Sequence, residues 1–358
     1  MRTTLLNKAQ RLVIKLGTGI LTDDRNHPDV TQMQQLADQI ADLKKQGRDV
    51  VLVSSGAVGA GMGSLGLEKR PRDLADLQAC AAVGQTRLMN TYSDLFARHG
   101  LSVGQVLLTH ADLKHHDRHL NARNTLVALL DRNIIPIVNE NDTVSFTELK
   151  FGDNDTLSAL VASLIHADLL VILTTAEGLI KNFGQPGAER LAEVATITDD
   201  IIAMAKGTTS VTATGGMATK VEAARIAVLS GIPMFIGPGR NPSILQDMTE
   251  GKDVGTVFLP CDKRLKGRKR WIAFFHRPKG ALIVDQGAKI ALRENGRSLL
   301  PKGVRDIQGQ FKSGEVVRVR DEEGTEFALG IAEWDSESFP TWNQREGEII
   351  HRDNLVIL

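Results

Sequence analysis

Residues 134–142 read Ile-Ile-Pro-Ile-Val-Asn-Glu-Asn-Asp, and residues 152–155 read Gly-Asp-Asn-Asp. The apolar run Ile134 to Val138 predicts a buried strand, and Leu157, Leu160, Val161 and Leu164 recur at helical spacing behind the second cluster. A strand that ends in amides and carboxylates, followed by a helix that opens on the same residue types, makes a β-loop-α unit with a polar mouth. Such a mouth suits a polar ligand bearing an amine or a metal.

The same alternation extends outward from this unit. Between Leu12 and about Phe258, short β-rich runs (12–16, 50–53, 103–108, 134–138, 169–173 and 233–236) are separated by amphipathic stretches near 31–46, 74–98, 120–132, 156–166 and 217–230. This is the pattern of a mainly parallel sheet covered on both faces, so a three-layer α/β domain is expected. The helix over 31–46 places Met33, Leu36, Ala37, Ile40 and Leu43 on one face, and Gly47 supplies its stop.

The texture changes after Phe258. Lys263, Arg264, Lys266, Arg268, Lys269 and Arg270 form a charged, glycine-interrupted stretch that reads as a linker. Beyond it, Ala281–Val284, Lys289–Leu292, Val316–Val319, Phe327–Ile331 and Asn354–Leu358 read as strands of a small, mostly antiparallel β-barrel. The expected division is residues 1–262, a linker over 263–278, and 279–358.

A chain of 358 residues can bury a large core without disulfides or structural metal. Lys plus Arg and Asp plus Glu each number 43, which offers no global field for nucleic acid. Only Cys80 and Cys261 are present, which excludes a disulfide framework and fits a reducing cytoplasm. No apolar stretch approaches the roughly 20 residues that a membrane helix needs. A cytoplasmic protein with no membrane partner is expected.

Three glycine-rich strand-to-helix turns offer backbone N–H groups to an anion: Lys15-Leu16-Gly17-Thr18-Gly19, Ser54-Ser55-Gly56-Ala57-Val58-Gly59, and Thr214-Gly215-Gly216-Met217-Ala218-Thr219-Lys220. Two of them carry a lysine, and two lysines brought to one phosphate from opposite sides would neutralise it. Familiar alternatives fare worse. The chain has no P-loop motif, and Gly61-Met62-Gly63-Ser64-Leu65-Gly66 matches the dinucleotide pattern in the wrong context, several residues past its strand. His110, His115, His116 and His119 lack cysteine partners and zinc spacing. The basic run at 263–270 reads as a solvated linker, with contact to RNA phosphates as its alternative.

Together these stretches resemble the glutamate 5-kinases, the γ-glutamyl kinases of proline biosynthesis within the amino acid kinase superfamily. The resemblance rests on Val13-Ile14-Lys15-Leu16-Gly17-Thr18, Ser54-Ser55-Gly56-Ala57-Val58, Val138-Asn139-Glu140-Asn141-Asp142, Gly152 to Ala159, and the 214–220 turn. Gly255-Thr256, Lys269-Arg270-Trp271 and Ser298-Leu299-Leu300-Pro301-Lys302-Gly303 extend it into a C-terminal PUA-like domain.

The resemblance implies ATP-dependent phosphorylation of the γ-carboxylate of L-glutamate. It implies that Lys15 and Lys220 neutralise the phosphoryl group and that Asp155 holds both in register. Ser55, Asp142 and Asn154 would bind glutamate, with Asp142 meeting its ammonium and Asn139 and Asp153 in the same pocket. Lys15, Gly17, Thr174, Thr175, Thr214, Gly215, Gly216, Met217, Ala218, Thr219 and Lys220 would hold ATP. Mg2+ would bridge the phosphates, held by them and by water rather than by a protein side chain. The resemblance further implies a homo-oligomer (dimer or tetramer), restraint by proline at the glutamate pocket, and a glutamyl phosphate reductase as the consumer of the product. The PUA-like domain leaves RNA as a further partner. Where the family has Thr-Asp after the fifth strand, this chain has Thr174-Thr175, and Glu177 to Asn182 lacks the family's tyrosine and Asp-Pro-Arg.

Overall fold

A computed structural model describes residues 2–23, 27–145, 154–206, 216–261, 265, 267–275, 278–344 and 346–358, without the side chains of His116, Arg268 and Asn343. Asp153, Thr214 and Gly215 of the expected site, and Lys263, Arg264 and Lys266 of the basic run, lie outside the described residues. The chain divides into two compact units, Met1–Arg264 and Leu265–Leu358.

The first unit is built on β1 (Arg11–Leu16), β2 (Asp49–Val53), β3 (Val103–Leu108), β4 (Ile135–Glu140), β5 (Leu169–Thr174), β6 (Ile180–Lys181), β7 (Glu189–Arg190), β8 (Glu193–Val194), β9 (Met234–Pro238) and β10 (Thr256–Phe258). Eight of these form one sheet in the order β3-β4-β2-β1-β5-β9-β10-β8, while β6 and β7 make a separate antiparallel pair. Every pairing in the large sheet is parallel except β9 with β10. The six strands expected from sequence are β1, β2, β3, β4, β5 and β9 of this sheet. Parallel strands are covered on both faces and therefore read as uninterrupted apolar runs.

The faces are set by alternation along each strand. In β1, Leu12, Ile14 and Leu16 join a core with Met33, Leu36 and Ile40 of the helix Val30–Lys45 and Leu88, Tyr92 and Phe96 of the helix Leu74–Ala97. Lys15 therefore points to the opposite face, where the helix Asn154–Ile165 packs against β1. An apolar strand thus delivers one lysine to the end of the sheet.

Two helices of the first core face meet at backbone contact. A Cβ at Gly61 would lie 1.8 Å from the Cys80 carbonyl oxygen, and one at Gly84 would lie 1.7 Å from that of Ala57. Gly61 of the 61–66 motif thus serves the packing of the helix Ala57–Ser64 on Leu74–Ala97, while Gly63 makes room for the His27 ring and Gly66 takes a φ of +66°, which explains the glycines without a dinucleotide.

The second unit holds β11 (Gly280–Val284), β12 (Val304–Gly309), β13 (Val316–Arg320), β14 (Glu326–Ile331) and β15 (Leu355–Ile357), ordered β12-β11-β13-β14-β15. Only β11 and β13 pair in parallel. One expected strand is corrected: Lys289–Leu292 lies in the helix Gln286–Arg293. The Asp285 carboxylate accepts the Ala288 N–H at 2.8 Å and caps that helix, and Ala288 and Leu292, four apart, face the core. A run of four residues, three of them apolar, does not separate a strand from a helical turn, and the cap decides. The edge strand β12 was not anticipated because four of its six residues are exposed and little apolar pattern remains. Residues 267–274, read as part of a linker, form the helix Gly267–Phe274, whose Trp271 and Ile272 pack with Val316, Leu329 and Val356.

Candidate active site

The carboxyl ends of β1, β2 and β4 and the first turns of the helices Asn154–Ile165 and Met217–Leu229 converge on one locus, at the switch region of a parallel sheet where ligands commonly bind. At its centre lies Asp155, fully buried in the first turn of its helix, where an anion is favoured by the helix dipole. Lys15 Nζ stands 2.6 Å from Asp155 Oδ1 and Lys220 Nζ stands 3.0 Å from Oδ2. Both lysines are 4% exposed. The Thr219 hydroxyl lies 2.9 Å from Asp155 Oδ2 and 2.8 Å from the Gly216 carbonyl, donating to one at a time.

Two ammonium groups share a single carboxylate, each on its own oxygen. Buried charges at this spacing interact strongly, and removing the shared partner would leave two like charges facing each other. Gly17 lies beneath this group: its N–H donates to the Leu173 carbonyl at 3.1 Å, and a Cβ there would come within 3.2 Å of that oxygen and 3.8 Å of Lys15 Nζ. The N–H is thus spent within the sheet, and what the glycine provides is room beside the lysine for a phosphate oxygen, since a side chain there would press on the Leu173 carbonyl. Met217 and Ala218 open the helix that carries Thr219 and Lys220, and Gly216 is its N-cap. Thr174 ends β5, and the Thr175 methyl lies 3.2 Å from where a Gly19 Cβ would stand. A cavity of about 240 Å³ borders the same helix, lined by the apolar side chains of Ile197, Ile202, Ala205, Ala218 and Val221 together with Glu222 and Arg225.

A second cluster adjoins the first through the Asn154–Asp155 peptide. The Asn154 amide nitrogen donates to the Ser54 carbonyl at 2.6 Å and to Asn139 Oδ1 at 2.8 Å, with Ser55 Oγ at 3.1 Å. Asn139 Oδ1 also accepts the Glu140 N–H at 2.9 Å, and Asn139 Nδ2 donates to Gln85 Oε1 at 2.8 Å. Ser55 precedes Gly56, whose φ of +89° admits a left-handed turn into the helix Ala57–Ser64. Asp142 is half-buried in the turn after β4.

Of the expected residues, the structure therefore groups Lys15, Asp155, Thr219 and Lys220, and separately Ser55, Asn139 and Asn154. Asn139 is 1% exposed and lies beneath Asn154 rather than at the surface of the pocket. Thr219, expected among the nucleotide contacts, also bonds the central carboxylate. Gln85 and Tyr92 were not anticipated. Both lie on the buried side of the helix Leu74–Ala97, and the only signal was a polar side chain amid apolar ones. Tyr92 OH lies 3.0 Å from Ser54 Oγ, and burial pushes its pKa up to about 12 against the opposing pull of that bond. It stays protonated and is not a base.

No group of three or more His, Cys, Asp or Glu side chains among the described residues is arranged to hold a metal ion. Asp155, the carboxylate at the centre of the site, is already bonded to two lysines and Thr219. Asp112 serves a local purpose among the histidines of the 110–119 stretch: it completes a capping box with Thr109. Among the described residues no helix is long and apolar enough to cross a membrane.

The amino acid kinase family model matches residues 10–238, and the PUA domain model matches residues 280–352. Over the full length of both chains, this chain is 46% identical to the glutamate 5-kinase of Pelobacter propionicus and 46% identical to that of Geobacter sulfurreducens. It is 45% identical to the glutamate 5-kinase of Moorella thermoacetica, covering 99% of this chain and 97% of the relative. Among solved structures, carbamate kinase from Giardia lamblia bound to AMP-PNP is similar in fold, with a TM-score of 0.52 and 18% identity over 71% of this chain and all of that one.

Proposed function

The chain belongs to the glutamate 5-kinase family, and on that premise we propose that it transfers the γ-phosphoryl group of ATP to the γ-carboxylate of L-glutamate, giving L-glutamyl 5-phosphate and ADP. The observation that carries this reading is the placement of Lys15 and Lys220 on one buried carboxylate, beside the room left at Gly17 and next to the Asn154–Ser55 cluster. A carboxylate is ionised at pH 7 and needs no general base to attack phosphorus. The protein's task is then to align donor and acceptor and to neutralise charge.

In this reading a γ-carboxylate oxygen forms the new bond to phosphorus as the bond to the ADP oxygen breaks. Lys15 and Lys220 neutralise the equatorial oxygens, and Asp155 keeps the two ammonium groups from separating. Gly17 leaves room for the phosphates and the turn entering Met217–Leu229 holds them, with Thr214, Gly215, Gly216 and Ala218 on that turn. Thr174 and Thr175 flank the nucleotide, and the largely apolar cavity beside Ala218, edged by Glu222 and Arg225, would take a base. Magnesium bound with ATP shields phosphate charge. Ser55 donates to the substrate, Asp142 pairs with its ammonium, and Asn154 presents the oxygen of an amide whose nitrogen is already committed. Asp153 belongs to the same pocket.

The product is a labile acyl phosphate, consumed by a reductase in proline biosynthesis. Proline restrains the enzyme at the glutamate pocket, and the chain acts as a cytoplasmic homo-oligomer. The test is magnesium-dependent ATP consumption with L-glutamate, aspartate and N-acetylglutamate, the acyl phosphate being trapped by hydroxylamine. Hydroxamate formed with glutamate alone is expected. Turnover with aspartate or N-acetylglutamate and none with glutamate would overturn the substrate assignment.

A further inference from the structure

The orientations of the Asn139 and Asn154 amides are each dictated by a backbone group whose role is unambiguous. The Glu140 N–H can only donate, so Asn139 must turn its oxygen to it. That leaves Asn139 Nδ2 facing Gln85, which must offer its own oxygen. The Ser54 carbonyl can only accept, so Asn154 must turn its nitrogen to it, and that nitrogen also meets Asn139 Oδ1. The result is a one-way chain of donors and acceptors from Gln85 through Asn139 to Asn154. At its outer end the Asn154 oxygen takes no part in this chain and is an acceptor of the kind an ammonium needs.

Gln85 is 8% exposed and reaches Asn139 from a helix more than fifty residues earlier in the chain. It is held there firmly. Gly84 beside it lets the helix approach the Ala57 backbone so closely that any side chain would collide. Seven residues on, Tyr92 ties the same helix to Ser54 at the end of β2. Two polar anchors on one buried helix stripe thus meet the ends of β2 and β4, under the residues that contact the substrate.

We propose that Gln85 is a positioning residue for the amino-acid pocket, acting through Asn139 to hold Asn154 with its oxygen toward the substrate ammonium. It touches neither phosphate nor the reacting carboxylate. The inference rests on the glutamate reading above and deepens it. Replacing Gln85 by an apolar residue would leave Asn139 Nδ2 buried without an acceptor, and Asn139 would move to find one. The binding of the amino acid, not the transfer step, should suffer.

The test compares Gln85→Met, Asn139→Ala and the double variant in the hydroxamate assay, with Gln85→Glu as the conservative change that keeps an acceptor. Gln85→Met should raise KM for glutamate about fivefold or more, a range in keeping with loss of one buried hydrogen bond, with kcat and KM for ATP within about twofold. The double variant should be no worse than Asn139→Ala alone, and Gln85→Glu should recover most of the lost affinity. An unchanged KM in Gln85→Met, effects that multiply in the double variant, or a Gln85→Glu as impaired as Gln85→Met would each overturn the proposal. If Gln85→Met does not fold, Gln85→Ala is read in the same way. The same cycle in thermal unfolding, without substrate, tests the Gln85–Asn139 link alone. A wild type silent on glutamate would therefore sink the proposed function and leave this link to stand or fall by its coupling in Tm.

Discussion

Each unit of the chain places a lysine against an aspartate, and the two arrangements differ in what surrounds them. In the C-terminal unit, Lys289 Nζ meets Asp321 Oδ2 at 2.8 Å, while Asp321 Oδ1 accepts the Thr325 N–H at 2.8 Å and closes the turn before β14. One cation meets one anion, Lys289 lies 6.0 Å from the centre of the Phe327 ring, and its side chain is a quarter exposed. In the first unit one carboxylate with no exposure meets two lysines and a hydroxyl, beside the room left at Gly17. The first arrangement fastens a turn. The second brings two cations to one carboxylate at the end of the parallel sheet, where a transferred phosphoryl group would be met by both.

That contrast is best broken at Asp155. Asp155→Ala should cost about 3–5 kcal/mol of stability, because two buried ammonium groups lose their shared partner, and it should abolish phosphoryl transfer. Urea unfolding of the variant, alone and with ATP, checks the first part. A variant as stable as wild type would mean that the lysines are not held by this carboxylate.

Gly84→Ala should come next. The new Cβ would lie 1.7 Å from the Ala57 carbonyl oxygen, so the helix carrying Gln85 must shift, with a loss of about 1–3 kcal/mol or more. The same variant should raise KM for glutamate, which ties helix packing to the pocket.

Asp142→Ala should raise KM for glutamate about tenfold or more with a smaller change in kcat, as expected when a charge-assisted bond to the substrate is lost. Saturation curves for glutamate and ATP separate the two. If the glutamate dependence is unchanged, Asp142 is not in the pocket.

The smallest effect belongs to the C-terminal pair. The hydrogen bond from Lys289, aided by the Thr325 N–H and opposed by burial, lowers the pKa of Asp321 below the usual carboxylate value. A carboxyl group with a depressed folded pKa contributes stability above its unfolded pKa and loses it as pH falls through the folded value. Asp321→Asn should therefore melt below wild type at neutral pH, and the two curves should converge as pH falls below about 4. A gap that persists in acid would assign the loss to something other than this charge.

The parallel sheet was legible in the sequence because its strands are buried on both faces and read as unbroken apolar runs ending in polar clusters. Lys15, Asn139, Asn154 and Asp155 stand at such ends, and Lys220 stands in a glycine turn, so their types alone single them out. What joins them was less visible. That Lys15 and Lys220 meet on opposite oxygens of Asp155 depends on which face of β1 a side chain takes and where two helices begin. Gln85 and Tyr92 were hidden because a polar residue on an apolar helix face says nothing of its partner, more than fifty residues away in one case. In the C-terminal unit, Lys289–Leu292 misled because a short apolar run fits a helical turn as well as a strand, and the deciding cap lay at Asp285.

The central claim is that the two lysines on Asp155, and not lysine–aspartate pairing in general, perform the chemistry. The direct measurement is hydroxylamine-trapped turnover with glutamate, ATP and magnesium for Lys220→Ala beside Lys289→Ala, each checked for folding. Loss of about 10²–10³ in kcat in Lys220→Ala, the scale for removing a group that stabilises developing charge, with Lys289→Ala within about twofold of wild type, is the predicted result. A folded Lys220→Ala that keeps its turnover would contradict it.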